Sequence, residues 1–149
     1  MQIIPINFFD SGFNGLLDQY PSAAAAYSLR ALSSGWLAGD VVEARRVNTP
    51  ATASFTANQI SNGELATWSL SGDVFVSTWY DQSGNANDAT QATTTAQPKI
   101  VSAGTLVVGG IDFDGTDDFL RNTTLNITTD YTSFSVSTYK GSGAGAIYG

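Results

Sequence analysis

Strict alternation over residues 73–80, followed at once by a run of turn-forming residues, constrains the fold of this chain more than any other stretch. Period-two alternation predicts a strand. One face of it carries Val74, Val76, Thr78 and Tyr80, and the other carries Phe75, Ser77 and Trp79. Residues 81–88, Asp-Gln-Ser-Gly-Asn-Ala-Asn-Asp, favour turns because Asp, Asn, Ser and Gly bond to their own backbone or tolerate a positive φ. We therefore predict a strand that ends in a long structured loop.

Shorter alternating stretches elsewhere predict more strands, so the chain is expected to be mostly β. They are residues 41–47, 99–101, 105–108, 111–113 and 134–139. Gly109-Gly110 predicts a hairpin between the strands at 105–108 and 111–113.

One helix is expected, near the N-terminus. Residues 16–34 are the only good helix candidate, and Ala23 to Ala26 supply helix propensity. Pro21 suits a first helical position and Gly35 a helix end, so the predicted helix covers about 21–34.

Residues 1–15 form an apolar arm that precedes the predicted domain. The arm contains Phe8, Phe9 and Phe13 among turn-forming residues. It is a candidate for docking to a partner chain, and packing against its own domain is the alternative.

The scarcity of charge excludes several functions. Only 13% of the 149 residues are charged, the formal net charge is −7, and His and Cys are absent; about 25% charged residues is usual. A basic nucleic-acid-binding face is therefore not expected. Zinc, haem and iron–sulfur sites and His-dependent nucleophilic triads lack their ligands. No run of 18 apolar residues occurs, so we expect no membrane insertion.

Three stretches together resemble a known family: residues 24–32, residues 78–92 with 97–101, and residues 111–120. They are similar to the concanavalin A-like (laminin-G-like) jelly-roll domains of bacteriophage virion proteins. They are also similar to the N-terminal part of the catalytic domain of α-L-arabinofuranosidase B from fungi. The resemblance implies a jelly-roll sandwich over residues 16–149. That fold needs more strands than this length holds, so we expect the N-terminal part of a larger sandwich; a shortened sandwich that neighbouring chains complete is the alternative.

The resemblance implies a non-catalytic virion structural protein: a head or tail fibre or a decoration protein, with a lectin-like domain that attaches to surface glycans or to a host. Its expected partners are other virion proteins, copies of itself and carbohydrate, and its expected location is the virion surface after assembly in the host cytoplasm. A front part of an arabinofuranosidase-like glycoside hydrolase is the alternative. The catalytic carboxylates of those enzymes lie beyond the matched region, so no catalytic residue is assigned. A structural cement without glycan affinity is a third interpretation.

Aromatic and amide side chains are the candidates for glycan binding. Trp36 and Trp68 lie among loop-forming residues, where an indole face could stack on a sugar ring; core packing is the alternative. Asn85 and Asn87 in the polar loop complete the candidate set.

Two acidic groups are the candidates for a metal, and calcium is the one cofactor they suit, because hard cations prefer oxygen ligands. Asp81 and Asp88 bracket the polar loop, although its spacing is not that of an EF-hand. The densest cluster comprises Asp112, Asp114, Asp117 and Asp118. Turn formation explains both groups without a metal.

Overall fold

A computed structural model describes residues 12–138 and shows a mostly β protein built on one curled antiparallel sheet. The strands are β1 (Asp40–Arg46), β2 (Ala51–Thr56), β3 (Val74–Trp79), β4 (Ala89–Thr90), β5 (Lys99–Ser102) and β6 (Thr105–Leu106). The predicted strands at 41–47, 73–80 and 99–101 are confirmed within a residue or two at each end.

The predicted strand at 73–80 is the central strand, β3. The sheet order is β2-β1-β3-β5-β6, with β4 also paired to β3. The first half of β3 pairs with β5, through Val74 opposite Val101, and its second half pairs with β4, through Trp79 opposite Ala89. Residues 81–88 follow the end of the central strand, so this loop lies at an end of the sheet.

One face of the sheet forms the core. Val42, Ala44, Val74 and Val76 are fully buried there, as the alternation predicts for the two β3 residues. The other face is polar, and the Phe75 ring on it is covered by two cations. The guanidinium carbon of Arg45 lies 5.2 Å from the ring centroid, and the Lys99 Nζ lies 5.5 Å from it.

Two short helices that the sequence analysis did not predict lie between β2 and β3. They are α2 (Ala57–Ser61) and α3 (Glu64–Trp68), and they follow α1 (Leu16–Gln19) in the chain. Each contributes one side chain to the core, Ile60 and Leu65 respectively. Gly63 has a φ of +88° between them, which lets the chain turn there without the steric cost of a Cβ atom.

The predicted helix over 21–34 is wrong. The helix at this end of the chain is α1, which has four residues, and no helix covers residues 20–33. Gly35 lies within a 3₁₀ turn at Ser34–Trp36 and ends no helix of the predicted kind. The backbone of this segment bonds instead to side chains of residues 81–88, as described below.

The predicted hairpin at Gly109-Gly110 and the predicted strand at 134–139 also need correction. The hairpin follows β5 through Ala103 and Gly104, both at positive φ, whereas Gly109-Gly110 makes a bend before Asp112, which bridges to Lys99 of β5. The predicted strand at 134–139 does not form over 134–138, where no described residue pairs with it, and residue 139 lies outside the described residues. Phe134 and Val136 are 89% and 88% exposed.

None of the helices in residues 12–138 has the length and apolar character to cross a membrane.

Candidate functional site

A buried carboxylate organises the loop that follows the central strand. Asp81 is only 2% exposed. It accepts hydrogen bonds from the backbone N–H groups of Ala26 (2.8 Å), Ser83 (2.9 Å) and Asn87 (3.0 Å), and from the Ser83 hydroxyl (2.7 Å). Burial opposes ionisation of Asp81, but these hydrogen bonds outweigh it and hold its pKa below the ordinary value.

The amide side chains of the same loop hold the segment that was predicted to be helical. Gln82 donates to the carbonyls of Ser28 and Arg30, each at 2.9 Å, and accepts from the N–H of Leu32 at 2.8 Å. These bonds satisfy backbone groups of the segment in a non-helical form, and therefore they replace the bonds that a helix would make.

Two predicted glycan-binding residues take part in this internal network. Asn85 donates its amide to the carbonyls of Ala23 (2.9 Å) and Ala24 (3.2 Å), and Asn87 donates to Ala24 at 2.8 Å. The Tyr27 hydroxyl donates to the carbonyl of Asn87. The amide donors of both asparagines thus bond to the backbone of residues 23–24, although Asn85 itself stays exposed.

The two carboxylates predicted for a metal in this loop both act as hydrogen-bond acceptors. Asp88 accepts from the N–H of Asp81 at 2.9 Å, and Asp81 makes the four bonds given above. The pKa of the Tyr27 hydroxyl is raised first by the burial of Tyr27 and then by the negative charges of Asp81 and Asp88. A cation could bind Asp81 only by displacing the donors that surround it.

The second acidic group is an exposed turn. Oxygens of Asp114, Asp117 and Asp118 lie within 4.8 Å of one another, and these three could contribute to a cation site. Asp112 is not part of that set; its backbone forms an antiparallel bridge with Lys99.

Hydrogen bonds within the turn engage two of these carboxylates, and Asp118 accepts from the N–H of Asp114 at 3.0 Å. Asp114 accepts from the backbone N–H groups of Thr116 (2.8 Å), Asp117 (3.3 Å) and Asp118 (3.4 Å), and the first of these bonds is the main cause of its lowered pKa. The pKa of Asp118 is raised, first by burial and then by the charges of Asp114, Asp117 and Asp112.

A groove beside Trp68 collects aromatic and polar side chains. It is an open groove with a volume of ≈ 500 Å³, and it lies against β2, α2 and α3. We call it the Trp68 groove. It is lined by Ala53, Ser54, Phe55, Gln59, Asn62, Gly63, Glu64, Thr67 and Trp68. Trp68 is the only one of the four predicted glycan-binding residues that lines it.

Packing fixes the indole of Trp68. Its ring meets the buried Phe55 ring edge-on, with centroids 5.2 Å apart and an interplanar angle of 66°. The guanidinium carbon of Arg46 lies 4.7 Å from the Trp68 ring centroid, and Arg46 also donates to the carbonyls of Trp68 (2.9 Å) and Thr49 (3.0 Å). Arg46 therefore covers one face of the indole, and the contact with Phe55 further restrains the ring.

The polar residues of the groove were not predicted from the sequence. Gln59 accepts from the N–H of Thr56 (2.9 Å), and its own N–H bonds back to the Thr56 hydroxyl (3.2 Å), which forms a capping box for α2. The Thr-x-x-Gln spacing could have revealed this helix start. Asn62 and Glu64 flank the left-handed Gly63, so the α2–α3 turn directs both toward the groove.

The remaining candidates lie elsewhere. Trp36 is half-buried against the core and donates its indole N–H to the carbonyl of Asp40 at 3.1 Å. Phe13 is exposed and lines a second groove of ≈ 550 Å³ with Leu29 and Ile60. The other two docking candidates, Phe8 and Phe9, lie outside the described residues.

Comparison of the chain with protein-family models, curated proteins and solved structures finds no match.

Proposed function

We propose that the chain is the carbohydrate-binding part of a non-catalytic virion surface protein with a lectin-like, jelly-roll type of fold, and that its sugar site is the Trp68 groove. The single observation that carries the sugar-binding proposal is the combination of a packed indole with amide, hydroxyl and carboxylate groups in one open groove. Sugar rings offer apolar C–H faces to an aromatic side chain, and their hydroxyls need both donors and acceptors.

The acid content of the groove favours binding over hydrolysis. Glu64 is the one carboxylate among the described residues that line it. Glycoside hydrolysis uses two carboxyl groups, about 5–5.5 Å apart for retention and about 6.5–9.5 Å apart for inversion. An arabinofuranosidase-like enzyme would have to provide the second group from elsewhere.

The virion assignment rests on the resemblance of residues 78–92 and 97–101 to phage virion domains. The β-rich fold is compatible with the jelly roll that this resemblance implies. A single open groove of this kind binds monosaccharides weakly. Several copies on one particle would convert weak contacts into avidity, so an oligomeric fibre or decoration protein suits the groove. Antibodies raised against the purified chain should label intact particles of the corresponding phage in electron micrographs, and particles that stay unlabelled would contradict the assignment.

The sugar site is tested by glycan-array binding and by titration of tryptophan fluorescence with the glycans that bind. We expect Trp68→Ala to abolish binding and Trp68→Phe, which keeps an aromatic ring against Phe55, to weaken it. Trp36→Phe is the matched control and should bind like the wild type. Far-UV circular dichroism verifies that each variant is folded.

Two results would overturn the proposal. Glycan binding that is unchanged in a folded Trp68→Ala or Trp68→Phe variant would remove the groove from the site. Hydrolysis of an aryl arabinofuranoside that is lost on a single carboxylate substitution would establish the enzyme alternative instead.

A further inference from the structure

We infer that the Trp68 groove selects uncharged pyranosides over pyranosides that carry a carboxylate, and that Glu64 accepts hydrogen bonds from their hydroxyls. The inference rests on the sugar-binding function proposed for the same groove, and it specifies the class of sugar.

Glu64 is held in one orientation by its neighbour in the turn. The Asn62 amide donates to Glu64 Oε1 at 2.6 Å, and Asn62 Oδ1 accepts from the backbone N–H of Glu64 at 3.0 Å. The other carboxylate oxygen, Oε2, accepts no hydrogen bond from the described residues. An ionised carboxylate is an acceptor only, so this oxygen is suited to a sugar hydroxyl that donates.

Donor groups lie in the same groove. Gln59 uses its carbonyl oxygen to cap α2, which leaves its NH₂ group to donate. Thr67 adds a hydroxyl that can donate or accept. A sugar hydroxyl both donates and accepts, and the lining of the groove offers it an acceptor in Glu64 and a donor in Gln59.

The charges around the groove disfavour an acidic sugar. Glu64 is the one charged residue in the lining, and the chain carries a net charge of −7. The cation beside the groove, Arg46, is stacked on the indole and donates through Nε and Nη1 to two carbonyls. Its positive charge offsets part of the repulsion from Glu64. Two carboxylates about 4 Å apart repel one another in water with an energy equivalent to a roughly fivefold loss of affinity.

The experiment compares matched sugars on the full chain. Methyl β-D-glucopyranoside and methyl β-D-galactopyranoside are titrated beside the corresponding methyl uronosides, in which a carboxylate replaces the hydroxymethyl group. Saturation-transfer NMR and tryptophan fluorescence at low ionic strength give the affinities. We expect at least one neutral sugar to bind and its uronoside to bind more weakly, by at most about fivefold.

Glu64→Gln tests the assignment to Glu64. We expect it to weaken the neutral sugar and to bring the neutral and acidic sugars to within about twofold of each other. Asp130→Asn, which removes one exposed charge outside the groove lining, should leave the wild-type preference intact.

The outcomes separate this inference from the function on which it rests. If a uronoside binds as tightly as its neutral partner, or if Glu64→Gln leaves the preference unchanged, the charge selection by Glu64 is wrong while the sugar site stands. If no neutral or acidic sugar, monosaccharide or arrayed glycan, binds to the chain, the sugar-binding function itself fails, and the inference fails with it.

Discussion

The Asp81 carboxylate accepts a hydrogen bond of 2.8 Å from the backbone N–H of Ala26, which lies 55 residues earlier in the chain. Ala26 belongs to the stretch with the highest helix propensity in the sequence, yet its N–H bonds to a buried side chain and not to a carbonyl four residues back. This contact joins the loop after the central strand to the N-terminal segment. It explains both the non-helical form of that segment and the conformation of the loop.

Removal of the Asp81 carboxylate is expected to destabilise the protein strongly. Asp81→Ala leaves the N–H groups of Ala26, Ser83 and Asn87 without their acceptor, at a total cost of about 3 kcal/mol in the free energy of unfolding. At this chain length the loss corresponds to a decrease of roughly 10 °C in Tm, which calorimetry would measure. Asp130→Ala, at an exposed position, is the control and should change Tm by no more than about 1–2 °C. Similar small shifts in both variants would show that the Asp81 bonds contribute little.

A peptide of residues 16–34 should show the helix propensity that the folded protein overrides. We expect it to become helical in trifluoroethanol, while the Cα chemical shifts of residues 21–33 in the intact protein stay non-helical. Circular dichroism of the peptide and NMR of the protein make the comparison. A peptide that stays unstructured in trifluoroethanol would contradict the tertiary explanation, and Pro21 and Ser28 would then be the local cause.

The sequence predicted those elements whose evidence is local. Alternation fixes which face of a strand is buried, and accordingly Val74 and Val76 lie in the core as expected. The helix over 21–34 was predicted from equally local propensity, and it failed because Gln82 and Asp81, distant in the chain, bond to its backbone. The two five-residue helices α2 and α3 are too short to produce a periodic pattern.

The residues of the candidate site also fall into two groups, those that the sequence could nominate and those that only the fold reveals. Trp68 could be nominated from its residue type and its loop-like neighbours. The contribution of Glu64 depends on a left-handed Gly63 and on the bond from Asn62, which only the folded turn reveals. Asn85 and Asn87 had the composition of a binding loop, but their amide donors bond to the carbonyls of residues 23–24. Residue type alone does not distinguish an amide engaged in this way from a free one.

Acid should unfold the protein through its hydrogen-bonded carboxylates. The pKa of Asp73 is lowered by the Lys99 ammonium, 2.7 Å away, and by the N–H of Ala103, and the pKa of Asp81 is also lowered. A carboxyl whose pKa is lower in the folded state stabilises the protein at every pH above its unfolded pKa. That stabilisation is lost as the pH falls through the folded value. We therefore expect the free energy of unfolding to be level near neutrality and to fall below about pH 5.

Urea titrations at a series of pH values measure this dependence. The Asp81→Ala variant is the comparison for the wild type. Without the Asp81 carboxyl, the free energy of unfolding should depend on pH less steeply between about pH 5 and pH 2 than it does in the wild type. Equal slopes in the two proteins would show that Asp81 titrates alike in the folded and unfolded states.

Replacement of Asp118 is expected to stabilise the protein at neutral pH, whereas replacement of Asp81 destabilises it. Its pKa is raised by burial and by Asp114, Asp117 and Asp112, so its ionised form is disfavoured in the folded turn. A group with a raised folded pKa contributes stability below its unfolded pKa and loses that contribution as the pH rises through the folded value. Asp118→Asn removes the charge and keeps an oxygen that can accept the N–H of Asp114, a bond of 3.0 Å in the wild type. Because Asp118 is largely solvated, screening limits the gain at pH 7 to roughly 0.2–0.5 kcal/mol.

The comparison that checks the sign is the difference in unfolding free energy between Asp118→Asn and the wild type, measured by urea denaturation at pH 7 and near pH 3. We expect the variant to be the more stable protein at pH 7 and to lose that advantage near pH 3, where the wild-type carboxyl is protonated. Asp130→Asn removes a charge outside the cluster and should show neither effect. A variant that is less stable than the wild type at pH 7 would mean that the carboxylate of Asp118 stabilises the turn more than its neighbours repel it.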